Sequence, residues 1–111
     1  MRVDKNNNRI YFNDNNIAVG NITIGVDTAT IELIKVVPQH RGKKLAKNLL
    51  TKIIEHIKSN FKNIDKITLQ PLPLDSTGLG LNDLITFYKK FQFNKSTNPS
   101  RYNPYMLVKY L

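Results

Sequence analysis

Residues 34–46 read Ile-Lys-Val-Val-Pro-Gln-His-Arg-Gly-Lys-Lys-Leu-Ala, an apolar run that stops at Pro38 and gives way to an amphipathic pattern after Gly42. A strand that hands over to a helix in this way leaves the first backbone N–H groups of the helix without internal partners. The helix dipole also turns its positive end toward the junction. A phosphate placed there is held by oriented donors. Gly42 has no Cβ and lets the backbone approach such an anion closely, while Arg41, Lys43 and Lys44 add side-chain charge around the same point. The chemistry that these residues suit is the binding of a phosphate-bearing ligand. The same residues also fit an ordinary basic turn before a helix, with Gly42 present for its dihedral angles and the cations solvated.

The elements on either side have to hold this junction in place. Leu45, Leu49, Ile53 and Ile57 recur at every fourth position, and Ala46, Leu50 and Ile54 widen the stripe, which predicts an amphipathic helix over residues 43–59. Upstream, the β-branched and aromatic residues of 9–13 and 17–26 flank Asn13-Asp-Asn-Asn16, the composition of a hairpin. A third strand over 29–37 is rich in Ile and Val and ends at Pro38. Downstream, residues 66–70 read as a strand, and a loop follows from Pro71 to Leu81. Asn82 is the expected N-cap of a short second helix marked by Leu84, Ile85, Tyr88 and Phe91. Residues 105–111 read as a closing strand. The order strand, strand, strand, helix, strand, helix, strand implies an α/β (α+β) domain, a mixed sheet with helices packed against it.

A chain of 111 residues, 41% of them hydrophobic, is expected to form one domain over 1–111. With no Cys there is no disulfide framework and no thiolate zinc site, and two His do not make the usual three-ligand nitrogen site. No metal is therefore expected. Residues 1–8 are polar and lack the apolar stretch of a signal peptide, and no run approaches the roughly 20 apolar residues of a membrane span. The expected compartment is the cytoplasm, with no membrane partner. A formal charge of +9 attracts polyanions: nucleic acid, anionic lipid, an acidic protein or a multiply phosphorylated cofactor.

With Val36-Val37-Pro38-Gln39-His40-Arg41-Gly42-Lys43-Lys44-Leu45-Ala46, the sequence resembles the acetyl-CoA motif of the GNAT (general N-acetyltransferase) superfamily. In that family a strand ending Val-x-Pro runs into Arg-Gly-x-Gly-x-Gly or Ala. A second stretch, Leu84-Ile-Thr-Phe-Tyr-Lys-Lys-Phe-Gln-Phe93, is similar to the family's Leu-Tyr-Glu-Lys-Leu-Gly-Phe. Two short motifs in the right order and context are stronger than either alone. The resemblance implies a mixed, mostly antiparallel central sheet with two helices. It also implies acetyl-CoA as co-substrate, with its pyrophosphate on the loop amides of Arg41, Gly42, Lys43, Lys44, Leu45 and Ala46. The pantetheine arm would lie along the backbone of Ile34, Lys35 and Val36. Two departures stand out, since the family has Gly where this chain has Lys44 and again where it has Gln92.

The resemblance further implies direct transfer of an acetyl group to an amine acceptor. It places Tyr88 where a tyrosine commonly protonates the departing sulfur, and Glu32 where several members keep a carboxylate that relays a proton from the amine. Both residues also have a plain structural reading, Tyr88 as a core aromatic and Glu32 as a solvent-facing strand residue. His40 reads as a solvated loop histidine and His56 as a structural one. The family fold usually begins with a strand and two helices, and this chain starts too late to hold them all. Its acceptor side is then open, completed by a second copy in a homodimer, or supplied by the loop from Pro71 to Leu81. Two other classes remain in view. One is a CoA-binding module without catalysis, suggested by Lys44, Gln92 and the missing front of the fold. The other, less favoured, is a small basic nucleic-acid binder using Arg101-Tyr-Asn-Pro-Tyr105 and the helix lysines.

Overall fold

The computed structural model describes residues 1–40, 44–71, 80–96 and 105–111. Its sheet is built on two tight turns made by asparagine. β1 (Arg2–Asn6) returns as β2 (Arg9–Asp14) through Asn7 and Asn8, with Asn7 at φ 56°. β2 returns as β3 (Ala18–Ile24) through Asn15 and Asn16, at φ 53° and 60°. Asn tolerates this left-handed backbone better than most residues. In the second turn Asn16 donates its backbone N–H to Asn13 Oδ1 at 2.8 Å.

β3 pairs antiparallel with β4 (Thr28–Val36), which leads through a short 3-10 turn at Pro38–His40 toward α1 (Leu45–Asn60). α1 crosses one face of the sheet and returns the chain as β5 (Lys66–Leu69), parallel to β4. α2 (Leu81–Lys89), the two-residue β6 (Asn94–Lys95) and β7 (Leu107–Tyr110) complete a sheet of order β1-β2-β3-β4-β5-β7-β6. Apart from β4 with β5, neighbouring strands run antiparallel. This is the mixed, mostly antiparallel sheet with two helices that the sequence implied.

The core lies between α1 and the sheet. Leu49, Leu50, Ile53, Ile54 and Ile57 of α1 are buried against Ile10, Phe12, Ala18, Ile22, Ala29 and Ile31. Burial of this kind supplies most of a domain's stability, at about 25 cal/mol per Å² of apolar surface. Gly20 lets α1 sit directly on β3, because a Cβ there would stand 2.9 Å from Ile53 Cδ1. His56 packs edge-on to Phe12, with ring centroids 5.4 Å apart, in keeping with its structural reading.

Three expectations need correction. β1 was not foreseen, because Arg-Val-Asp-Lys-Asn carries no apolar alternation and all five residues are exposed; it forms as the antiparallel partner of β2. β6, of two residues, was also missed. Asn82 does not cap α2, because the helix begins at Leu81 with Gly80 as N-cap, leaving Asn82 exposed within the first turn. Among the described residues no helix is long and apolar enough to cross a membrane.

Candidate functional site

β4 is longer than the strand beside it. Its ladder with β3 continues to Val36, whereas its ladder with β5 ends where Ile31 meets Leu69. Beyond that pair the two strands part, and a small cleft of about 80 Å³ opens between them. Ile31, Glu32, Leu33, Ile34, Leu69, Gln70 and Tyr88 line it. The parting coincides with an irregularity in the ladder: Asn21 lies opposite Leu33 and Ile22 opposite Ile31, which leaves Glu32 as the extra residue of a β-bulge. A bulge bends the strand and re-aims its side chains. It brings Glu32, exposed at the surface, to the rim of the same cleft as Tyr88.

Tyr88 is the buried residue of α2, 8% exposed, and is wedged among Phe87 (5.2 Å between ring centroids) and Phe93 (5.9 Å). Burial disfavours the phenolate and pushes its pKa from the ordinary 10.0 up to about 12. The hydroxyl therefore keeps its proton throughout the neutral range. Gln70 was not singled out from the sequence. Its Oε1 is buried with no hydrogen-bond partner, a condition shared among the described residues with Asn21 Oδ1. No sequence pattern marks a lone glutamine at the end of a strand.

The candidate coenzyme segment continues from this cleft. Ile34 is half-buried and Val36 buried, both on β4, while Lys35 between them is exposed. His40 is half-buried at the end of the 3-10 turn. Arg41, Gly42 and Lys43 lie outside the described residues, as do the segment 72–79 of the expected acceptor loop and all of Arg101-Tyr-Asn-Pro-Tyr105 except Tyr105. Lys44 is the N-cap of α1 at φ 60°, ψ 20°, with no side-chain cap and no acidic residue in the first turn. Asn48 N–H makes the first helical bond, to Lys44 O at 3.0 Å. The amides of Leu45, Ala46 and Lys47 precede it and have no carbonyl within the helix to reach. Gln92, the other residue in place of a family glycine, also has a positive φ, 65°.

Residues 1–110 match the family described as Acetyltransferase (GNAT) domain. The chain belongs to that family. No curated protein matches its sequence. Among solved structures, this GNAT domain is similar to the anti-CRISPR protein AcrVA5, with a TM-score of 0.74 at 16% identity over 91% of this chain and 97% of that one. It is also similar to the PaiA N-acetyltransferase of Thermoplasma acidophilum in complex with coenzyme A, with a TM-score of 0.66 at 19% identity over 93% of this chain and 60% of that one. A third likeness is to a GNAT family acetyltransferase from Elizabethkingia anophelis with acetyl-CoA bound, with a TM-score of 0.67 at 17% identity over 93% and 75%. The likeness to all three is one of fold. This GNAT domain is a short one: β1 joins β2 through a two-residue turn, where the family usually has two helices near its start.

Proposed function

We propose that this GNAT domain, folding as one unit over residues 1–111, transfers an acetyl group from acetyl-CoA to an amine by direct attack. The observation that carries the reading is the parting of β4 from β5, on a strand that leads on to an α1 whose N-terminus has no side-chain cap. A long thioester can enter the gap while its diphosphate meets the helix amides. Coenzyme A or acetyl-CoA in the Thermoplasma and Elizabethkingia structures supports that choice of co-substrate. In this reading the backbone of Ile34, Lys35 and Val36 receives the pantetheine arm. Arg41, Gly42, Lys43, Lys44, Leu45 and Ala46 receive the pyrophosphate, and the compartment is the cytoplasm.

The chemistry asks little of side chains. The neutral amine attacks the thioester carbon, the carbon–sulfur bond breaks, the sulfur gains a proton and the nitrogen loses one. Glu32, on the bulge at the cleft rim, takes the nitrogen's proton through water. Tyr88 faces the same cleft and offers its hydroxyl to the departing sulfur. With its pKa pushed up to about 12, it acts first as a hydrogen-bond donor that stabilises developing negative charge, and gives up its proton only as far as the sulfur demands.

Acetyl-CoA at a hundred times its dissociation constant stabilises a fold by about 2.7 kcal/mol, which for a domain of this size raises the melting temperature by roughly 10 °C. Inorganic pyrophosphate alone is expected to give much less. Gly42→Glu sets bulk and negative charge against the diphosphate and removes the acetyl-CoA shift while leaving the melting temperature of the free protein near that of wild type. An undiminished shift in that variant would refute the loop assignment. Release of free thiol with a panel of primary amines then separates an enzyme from a module that only binds coenzyme A.

A further inference from the structure

Beside the Tyr88 hydroxyl, the cleft brings together two side chains with hydrogen-bond acceptors. Glu32 supplies a carboxylate, and Gln70 a buried Oε1 with no partner. Asn21 Oδ1, likewise unpartnered, stands on β3 in register with Leu33 of the cleft wall. Buried acceptors are normally satisfied, and one left alone costs the fold its full desolvation penalty. A chain with a net charge of +9 has thus placed a carboxylate and an orphaned amide oxygen around one small opening. A group that donates N–H satisfies these acceptors.

Resting on the acetyl-transfer reading, we infer that Gln70 binds the acceptor amine, its Oε1 taking one N–H and so turning the nitrogen lone pair toward the thioester. The remaining wall is Ile31, Leu33, Ile34 and Leu69, which suits methylene groups. The opening of about 80 Å³ has room for two or three water-sized groups. It therefore admits the tip of a slender primary amine and leaves the body of the acceptor outside. Gln70 follows Leu69, the residue at which β5 leaves β4, so the strand that ends the ladder also delivers the side chain to the gap.

The test uses the whole chain labelled with nitrogen-15 and n-butylamine as the probe. In the coenzyme A complex, butylamine is expected to shift the side-chain amide signals of Gln70. Gln70→Leu should weaken butylamine binding at least tenfold, leave coenzyme A affinity unchanged, and keep or raise the melting temperature, since a buried orphan has been removed. Gln70→Glu retains an acceptor and should hold butylamine affinity within about threefold of wild type. The inference is overturned if the Gln70 signals respond to coenzyme A alone and not to the amine, if they respond to neither, or if Gln70→Leu binds butylamine as wild type does. Failure of the underlying reading looks different: coenzyme A would then leave the Leu45 and Ala46 amides unmoved and the melting temperature unchanged.

Discussion

At Lys44 and Gln92 the chain keeps a backbone shape that its residue types do not favour. Both stand at positive φ, 60° and 65°, where an L-residue other than glycine is held at a cost of about 1–2 kcal/mol. These are the two places where the resemblance calls for glycine, the residue that adopts such a backbone most readily. Both side chains are exposed, which leaves the strain in the backbone alone. Lys44→Gly and Gln92→Gly are each expected to stabilise the free protein by roughly 0.5–1 kcal/mol, the gain being reduced by glycine's greater freedom in the unfolded chain. Urea midpoints would register the change, and a loss of stability in either variant would contradict the strain. At this scale the sequence was informative where a motif broke. Lys44 and Gln92 stood out against an expected Gly, and the resemblance singled out Tyr88 and Glu32, which line one cleft. Gln70 was invisible, since burial without a partner is a property of three-dimensional neighbours. The bulge that sets Glu32 outside simple alternation was hidden too, because period-two reasoning assumes an unbroken ladder.

Among the elements, α1 was legible and α2 only partly so. Five buried residues in a four-residue rhythm define α1 without help from its surroundings. α2 has nine residues and buries only Tyr88, with Leu84 and Phe87 half-covered, and Phe91, expected within the helix, lies past its end, so the position of α2 depends largely on one ring. The weakness of that local signal explains the misplaced cap at Asn82, and β1 was missed because hairpin pairing overrode poor strand composition. Dependence on Tyr88 makes the docking of α2 sensitive to alkali. The folded-state pKa of Tyr88, about 12, lies above its ordinary value of 10.0, so the buried ring contributes its full stability below pH 10 and loses it as the pH rises from 10 to 12. Two pH units correspond to about 2–3 kcal/mol. Relative to Tyr88→Phe, which has no proton to lose, wild type is expected to fall in stability by about that amount between pH 9.5 and 12. Parallel denaturation midpoints for the two proteins across this range would show that Tyr88 ionises equally in the folded and unfolded states.

The molecule as a whole joins a seven-stranded sheet, one long helix and a large excess of positive charge, 17 Lys and Arg against 8 Asp and Glu. Charge on this scale does two things that salt separates. It makes the folded surface repel itself, and in the proposed function it draws acetyl-CoA toward the N-terminus of α1. The Arg2–Asp4 ion pair at 2.8 Å is exposed on an edge strand and relieves little of the repulsion. Raising sodium chloride from 0.1 M to 1 M shortens the screening length from about 10 Å to about 3 Å. The free protein is then expected to melt a few degrees higher, as repulsion between cations is damped, while acetyl-CoA affinity drops by roughly three- to tenfold, as attraction is damped with it. Thermal melts and a binding isotherm at the two salt concentrations would record both. Opposite signs are the signature of a surface whose excess charge serves ligand capture at the expense of the fold. If affinity held constant while the melting temperature rose, the diphosphate would be gripped by neutral main-chain amides alone, and Arg41, Lys43 and Lys44 would be bystanders.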